Sequence, residues 1–309
     1  MTNKILIASI AVFFCAMPAS AEHVICTGVD DTAALQTALD AGPTKFVGNC
    51  VVCSLNAANR RPILHGVGPV YSNINPKPDC PEWATKKGHI IDFSGSYFVD
   101  LADFSVGWGA GNAVITQTAF AFMQTEPATS NLVRVNNVFV LGKFRSTTFY
   151  VYGVASGRVR DSEFYNFNPG ADTLSSVVYM TGKNGWGLES NFATISTNVG
   201  IGAPQWQFSS NEIHNYPGVG GNAAAIWLDG ADDVHFFGGV ISAGGLAYVF
   251  VDGNVSHIIF HGVAFGQDGD PVIPASVFRV NSGNLADVSL LANHYTGNPP
   301  LYDGPGSHP

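Results

Sequence analysis

Six short segments of this chain place aromatic and acidic side chains at matching positions, at residues 149–152, 178–181, 199–202, 226–229, 249–252 and 278–281. Aromatic rings are suited to stacking on sugar rings, and a pair of carboxylates is what glycoside hydrolysis uses. The first and third members of every segment are apolar. The second members are Tyr150, Tyr179, Gly200, Trp227, Phe250 and Arg279, and the fourth members are Tyr152, Thr181, Gly202, Asp229, Asp252 and Asn281.

These side chains can act together only if the segments are neighbouring strands of one sheet. Successive side chains of a strand point to opposite faces, so the apolar first and third members predict an interior column and the second and fourth members an outward one. Adjacent strands lie about 4.8 Å apart, which brings Asp229 and Asp252 close enough for their charges to repel. We therefore expect Asp229 and Asp252 to be catalytic, and no metal site is predicted. The expected substrate-binding residues are Tyr150, Tyr179, Trp227, Phe250 and Arg279.

The same residues have a purely structural interpretation, which stays open at the level of sequence. Stacked aromatic rings stabilise neighbouring strands without any ligand. Asp229 and Asp252 are each followed by glycine, which is also the pattern of a turn at the end of a strand.

A second pattern determines the architecture that would position these segments. It consists of a large apolar residue, a small or polar residue two positions later, and another apolar residue three positions after that. Such a repeat of short strands and turns, with no helix between, predicts a parallel β-solenoid of about eight or nine coils. The pattern recurs at intervals of 20 to 30 residues, at 135–140, 159–164, 188–193, 208–213, 236–241, 260–265 and 290–295, with an earlier instance at 101–106.

The N-terminal part of the chain carries a family resemblance. Residues 30–42, DDTAALQTALDAG, predict a helix, and residues 63–68, ILHGVG, a strand with a glycine turn. Together they resemble the start of proteins in the pectate-lyase superfamily of single-stranded right-handed parallel β-helices. One departure is Val47-Gly48-Asn49-Cys50, which replaces the proline-glycine turn that usually follows the first strand in that group. The resemblance implies an all-β right-handed parallel β-helix with a short N-terminal capping helix.

The superfamily includes pectate lyases, polygalacturonases, alginate-modifying enzymes and phage tailspikes, so the resemblance favours a polysaccharide lyase or a glycoside hydrolase. It also brings calcium into consideration as a cofactor, which the residues themselves leave unknown. Asp232-Asp233 and His261-Gly262 only partly match the polygalacturonase pattern, and no Arg-Ile-Lys is present. A lyase needs groups that neutralise a uronate and remove its proton, and the cations on neighbouring coils are Lys143, Arg145, Arg160 and Lys183.

Five histidines are scattered over the later coils without the spacing of metal ligands. His257 and His261 are four residues apart, which on an extended strand separates them by about 13 Å. We expect most of these histidines to be surface or turn residues. They are His214, His235, His257, His261 and His294.

Residues 1–21 have the pattern of a secretory signal. Lys4 is followed by an apolar run, and Ala19-Ser20-Ala21 matches the small-x-small cleavage pattern. The apolar run is too short to cross a bilayer, so we expect a secreted or periplasmic protein without a membrane span. The formal net charge of −9 disfavours nucleic acid as a partner.

The cysteines that follow the predicted signal all lie in the first part of the chain. In an exported protein, Cys26, Cys50, Cys53 and Cys80 predict two disulfides. Cys50 and Cys53 form a C-x-x-C, which leaves zinc or redox chemistry as alternatives, although the segment after it is strand-like rather than helical.

The sequence thus predicts a signal at residues 1–21, an N-terminal cap at 22–88 that contains the helix and a disulfide-linked loop, and a β-helix with a tail at 89–309. The expected function is cleavage of a uronate-containing or other acidic polysaccharide. The alternatives are a non-catalytic polysaccharide-binding or adhesion solenoid and a phage-type tailspike, the last disfavoured by the signal because virion proteins assemble in the cytoplasm.

Overall fold

A computed structural model describes residues 22–57, 61–84, 88–96, 98–107, 115–123, 132–152, 156–167, 176–181, 206–215, 224–266 and 273–308. Within them the chain is almost entirely β, with one α-helix and one short 3-10 helix. The helix α1 is Thr32–Ala41 and the 3-10 helix η1 is Pro81–Ala84. The strands are β1 Glu22–Ile25, β2 Thr44–Val52, β3 Leu55–Asn56, β4 Ile63–His65, β5 Ser72–Pro76, β6 His89–Asp92, β7 Phe98–Val106, β8 Ile115–Met123, β9 Leu132–Tyr152, β10 Ser156–Arg160, β11 Glu163–Asn166, β12 Ser176–Thr181, β13 Trp206–Ser209, β14 Glu212–Asn215, β15 Ala224–Asp229, β16 Asp232–Phe237, β17 Val240–Ala243, β18 Ala247–Asp252, β19 Asn254–His261, β20 Ala264–Phe265, β21 Ser276–Val280, β22 Asn284–Leu285, β23 Val288–Leu291, β24 His294–Tyr295 and β25 Tyr302–Asp303.

The strands pair in parallel with the equivalent strands of the next repeat, which builds three stacked faces. Face A contains β1, β2, β4, β7, β9, β10, β13, β16, β19 and β23. Face B contains β2, β5, β7, β9, β11, β14, β17, β20 and β24. Face C contains β3, β6, β8, β9, β12, β15, β18, β21 and β25. The all-β class is confirmed, and these long parallel sheets are compatible with a solenoid.

The middle residue of the apolar repeat is the corner between faces A and B. In each described repeat this residue has a left-handed backbone, with φ between 47° and 69°. A left-handed residue turns the chain sharply, and glycine, asparagine and aspartate tolerate that conformation best, which explains the small or polar residue of the pattern. The corner residues are Asp103, Asn137, Asp161, Ser210, Gly238, Gly262 and Ala292.

The repeat at 188–193 lies outside the described residues. Strand β10 pairs directly with β13, with Val159 opposite Phe208.

The core lies between the three faces and is filled by aliphatic and aromatic side chains from equivalent positions. Phe236 stacks on Phe208 and on Phe260, with ring centroids 4.8 and 4.7 Å away. These rings are the first apolar residues of three successive repeats, so the repeat itself produces the stack. Stacked aromatic pairs add to the stabilisation from burial alone.

The helix predicted at residues 30–42 is confirmed as α1. Leu35, Ala38 and Leu39 are buried, whereas Ala34 is exposed. The buried Asp31 carboxylate accepts hydrogen bonds from the backbone N–H groups of Thr27, Gly28 and Val51, at 2.7 to 3.1 Å, and from the Thr27 hydroxyl at 2.8 Å. It thereby ties the start of the helix to β2.

The two predicted disulfides are confirmed, as Cys26–Cys50 and Cys53–Cys80. The C-x-x-C cysteines are therefore bonded to different partners and not to each other. The N-terminal cap was expected to contain a helix and a disulfide-linked loop, but its residues 72–76 form the buried strand β5, which pairs with β2. Parallel pairing begins before residue 89, since β1 already pairs with β2. Among the described residues, no helix is both long and apolar enough to cross a bilayer.

Candidate functional site

Face C brings the sequence-predicted substrate-binding residues into one file across five successive strands. Tyr179 of β12 is directly opposite Tyr150 on one side and Trp227 on the other, and Phe250 is opposite Trp227 and Arg279. In sequence order Gly200 falls between Tyr179 and Trp227, whereas in the structure β12 pairs directly with β15. Gly200 and Gly202 lie outside the described residues. We call Tyr150, Tyr179, Trp227, Phe250 and Arg279 the aromatic file.

The predicted interior column is confirmed on these strands. Every first and third member that the structure describes is fully buried. This alternation is the reason the file faces outward. The buried residues are Phe149, Val151, Val178, Met180, Ile226, Leu228, Val249, Val251, Phe278 and Val280.

The sequence predicted that the whole aromatic file faces outward, but its side chains are not equally exposed. Phe250 is only 6% exposed, and the Trp227 ring meets it edge to face with centroids 5.8 Å apart. Tyr150 is half-buried and stacks on Tyr152 at 5.8 Å. Large rings on adjacent strands cover one another. Among the aromatic rings of the file whose burial the structure describes, Trp227 and Tyr150 are half-buried, and Phe250 packs against Trp227 from the next strand.

Arg279 ends the file as one half of an ion pair. Its Nη1 donates to Asp303 Oδ2 at 2.6 Å, and Asp303 is directly opposite Arg279 on β25. The sequence reasoning missed Asp303 because β25 contains only two residues.

Asp229 and Asp252 are directly opposite one another at the ends of β15 and β18, as the sequence predicted. Asp229 is 9% exposed, and Asp252 is half-buried and accepts hydrogen bonds from Asn281 and Ser282, both at 2.9 Å. Burial, the neighbouring Tyr152 and the charge of Asp229 raise the pKa of the Tyr150 hydroxyl. The Asp229 charge therefore acts on the same part of face C as the aromatic file.

The turn between faces C and A forms a groove of about 410 Å³ that the sequence reasoning did not find. His257 Nδ1 lies 2.7 Å from Asp232 Oδ1 and His257 Nε2 lies 3.7 Å from Asp287 Oδ2. His235 Nε2 lies 3.1 Å from Asp233 Oδ1. The groove is lined by Asp232, Asp233, His235, His257, Ile259, Asp287 and Ser289.

The two histidines of this groove are in opposite electrostatic environments. The hydrogen bond to Asp232 raises the pKa of His257, with further support from the charges of Asp287 and Asp233. Burial lowers the pKa of His235 and outweighs its contact with Asp233. Asp233, His257 and Asp287 each precede an apolar repeat by three residues and all have left-handed φ values, so aligning the repeats at that position would have revealed the cluster.

Face B carries a second polar cluster that the sequence did not indicate. Glu163 and Glu212 are directly opposite on β11 and β14, and the Tyr165 hydroxyl donates to Glu212 Oε2 at 3.2 Å. Burial, then the charge of Glu212, raises the pKa of Glu163. The His214 ring is buried and stacks on Tyr165 at 4.5 Å, which makes His214 an exception to the expectation that most of the histidines are surface or turn residues.

Two of the basic residues proposed for lyase chemistry, Lys143 and Arg160, lie on different faces. Arg160 ends β10, whereas Lys143 follows face B and lies opposite Ile115 of face C. Lys183 lies outside the described residues. The only group of three metal-binding residue types that meets at short range in the described ranges is Cys53, Cys80 and Glu82. Both of its sulfurs form a disulfide, so they are not thiolate ligands.

No family model, curated protein or solved structure matches this chain. The likeness to the pectate-lyase superfamily therefore depends on residues 30–42 and 63–68 and on the stacked parallel strands.

Proposed function

We propose that this protein is an exported right-handed parallel β-helix protein of the pectate-lyase type that binds and cleaves a polysaccharide on face C. The observation that carries the proposal is the register of the aromatic file, which aligns Tyr150, Tyr179, Trp227 and Phe250 on successive strands. A polysaccharide is a repeating ligand, and a solenoid face that repeats at about 4.8 Å presents it with repeating contacts.

Right-handedness follows from a general rule about connections. Parallel strands of one sheet joined by a crossover are right-handed in about 98% of cases, because of the twist of the strands. Export is supported by the signal-like pattern of residues 1–21 and by the two disulfides, which persist in oxidising compartments.

The carboxylates beside the file favour hydrolysis over elimination. In this mechanism Asp229, the more buried of the pair, donates a proton to the oxygen of the leaving sugar. Asp252 acts on the anomeric carbon from the more open side, either directly or through a water molecule. Elimination would need a cation free to serve as base, whereas Arg279 is already paired with Asp303.

A non-catalytic polysaccharide-binding solenoid is the second candidate, and two observations favour it. Asp252 already accepts hydrogen bonds from Asn281 and Ser282, and left-handed Gly230 and Gly253 follow the two aspartates. Both features are what a structural turn residue shows.

The test is a polysaccharide panel of pectate, alginate, glycosaminoglycans and neutral glucans, with binding and product formation measured on the same samples. Trp227→Ala should weaken binding roughly tenfold, about 1.4 kcal/mol, under either candidate, and Tyr71→Ala, an exposed tyrosine of the cap, is its control. Asp229→Asn and Asp252→Asn should abolish product formation with binding retained, while Asp79→Asn in the cap should change neither. Full activity in Asp229→Asn would exclude the carboxylate mechanism, and products that absorb in the ultraviolet would show elimination instead.

A further inference from the structure

Face A carries a group of three arginines on two adjacent strands. Arg134 of β9 is directly opposite Arg158 of β10, and Arg160 is two residues further along β10 on the same side. All three side chains are exposed. The protein has 14 basic residues against 23 acidic ones, so three arginines at one place are a local exception to its negative charge. We call Arg134, Arg158 and Arg160 the arginine patch.

The arginine patch places like charges on neighbouring strands, unlike Arg279 of face C, which has an aspartate opposite it. Like charges directly opposite on neighbouring strands are destabilising, and Arg134 and Arg158 are in that arrangement. Arg279 of face C has an aspartate, Asp303, as its opposite residue and bonds to it. Opposite positions on neighbouring strands can therefore hold a cation and an anion, whereas the opposite positions of Arg134 and Arg158 hold two cations.

The nearest acidic groups do not form ion pairs with the patch. Asp100 is opposite Arg134, but its carboxylate contacts His65, with Oδ1 lying 3.5 Å from Nε2. The Arg134 guanidinium lies over the Phe98 ring, 5.1 Å from its centroid. Asp161 follows Arg160 at the exposed corner between faces A and B. In the part of the chain that the structure describes, none of the three arginines forms an ion pair.

The residues opposite Arg158 and Arg160 on β13, and opposite Arg160 on β9, are polar and uncharged. Gln207 is opposite Arg158 and Ser209 is opposite Arg160 on β13, while Asn136 is opposite Arg160 on β9. Amide and hydroxyl groups of this kind hydrogen-bond to sugar hydroxyls and to anionic oxygens alike. Across the strands the arginines are spaced by about 4.8 Å, and along β10 by about 7 Å.

We propose that the arginine patch is a binding face for an anionic polysaccharide, separate from the aromatic file, which it engages through carboxylate or sulfate groups. Guanidinium groups bind both kinds of oxyanion in a two-pronged geometry. A polymer with regularly spaced charges meets several arginines at once and relieves the repulsion between Arg134 and Arg158. The proposal does not depend on cleavage at Asp229 and Asp252, since the patch lies on another face.

The experiment measures binding of the full-length secreted protein to polygalacturonate, to dextran sulfate and to neutral dextran by affinity electrophoresis and calorimetry. The double variant Arg158→Ala/Arg160→Ala should lose at least tenfold in affinity for the anionic polymers and nothing for dextran. Arg61→Ala, at an exposed arginine of the N-terminal region, is the control for loss of an arginine elsewhere on the surface and should bind as the parent does. The parent's affinity should fall with added salt, and the double variant's should depend on salt less.

The two polymer arms identify the anion. Preference for polygalacturonate assigns carboxylates, and preference for dextran sulfate assigns sulfates. Arg158→Lys/Arg160→Lys keeps the charge but loses the planar donor pair, so it should bind more weakly than the parent and more tightly than the alanine variant. Thermal melting confirms that each variant is folded. Arg158→Glu reverses the charge at that position and tests separately whether binding depends on positive charge.

Three results would overturn the proposal: no binding of either anionic polymer by the parent, unchanged binding in the double variant, or tighter binding of single-stranded DNA than of both polymers. Failure of the proposed cleavage is distinguishable, because it concerns Trp227→Ala and Asp229→Asn. A protein that binds polyanions through the patch and cleaves nothing would retain this inference and lose the enzymatic one.

Discussion

Trp227 and Phe250 are opposite residues on neighbouring strands of face C, and their rings meet edge to face with an interplanar angle of 87°. Phe250 is buried and Trp227 is half-buried, so the two rings of one file have different tasks. The buried Phe250 ring packs against the Trp227 indole, and the indole itself remains partly exposed on face C.

This relationship predicts that Phe250→Ala acts mainly on stability. Removal of a buried phenylalanine costs about 3 kcal/mol through lost burial and the cavity that remains, which chemical denaturation would measure. Phe250→Leu should recover much of that loss. If Phe250→Ala left the free energy of unfolding unchanged while it abolished sugar binding, Phe250 would be a contact residue instead.

The left-handed corner between faces A and B predicts that exchanging glycine and alanine has opposite effects on stability at two equivalent positions. At Gly238, with φ of 63°, an added Cβ would meet nothing within 4 Å, so Gly238→Ala should cost about 1 kcal/mol from backbone conformation alone. Ala292 has φ of 53°, and Ala292→Gly should not destabilise and should raise the melting temperature slightly. Equal losses in both variants would contradict the role of the corner.

The groove between faces C and A predicts a stability that depends on pH. The pKa of His257 is raised by Asp232, Asp287 and Asp233, so the protonated histidine stabilises the fold fully below its unfolded pKa of about 6.5. The contribution is lost as the pH rises through the higher folded pKa. Melting curves of the parent and of His257→Gln should therefore differ more at about pH 5.5 than at about pH 8.5.

The matched control for this measurement is His294→Gln, an exposed histidine on the later strand β24. Burial lowers the pKa of His235, and the charge of His257 lowers it further, so the same pair of proteins is also compared in a His235→Gln background. A difference between parent and His257→Gln that grows with pH would reverse the assigned sign.

The cap predicts a strong dependence on its disulfides. Cys26–Cys50 and Cys53–Cys80 close loops with sequence separations of 24 and 27, and cross-links of that size stabilise a fold by about 3 kcal/mol. The paired substitution Cys53→Ser/Cys80→Ser should lower the denaturation midpoint accordingly. Because the later coils pair only with their neighbours, hydrogen exchange should increase in the cap well before it increases at β16–β19.

Much of this protein could be predicted from local pattern. The apolar repeat, the alternation within 226–229 and 249–252, and the helix at 30–42 each depend on residues close in sequence, and each is present in the structure. The pairing of Trp227 with Phe250 followed from the repeat because both residues hold the same place in it. The pairing of cysteines did not, since four cysteines allow three connectivities.

The sequence by itself determined the period, the inward column and the small or polar corner, because side-chain alternation and left-handed backbone are local properties. Only the tertiary structure decided which repeats are neighbours, as in β12 directly beside β15. The stacking of repeats also decided which side chains contact one another. Phe250 is buried, and Arg279 forms an ion pair with Asp303. Asp232 and Asp287, from different repeats, both contact His257. Such contacts join residues about one repeat apart, and their distances depend on the register between coils, which no single segment specifies.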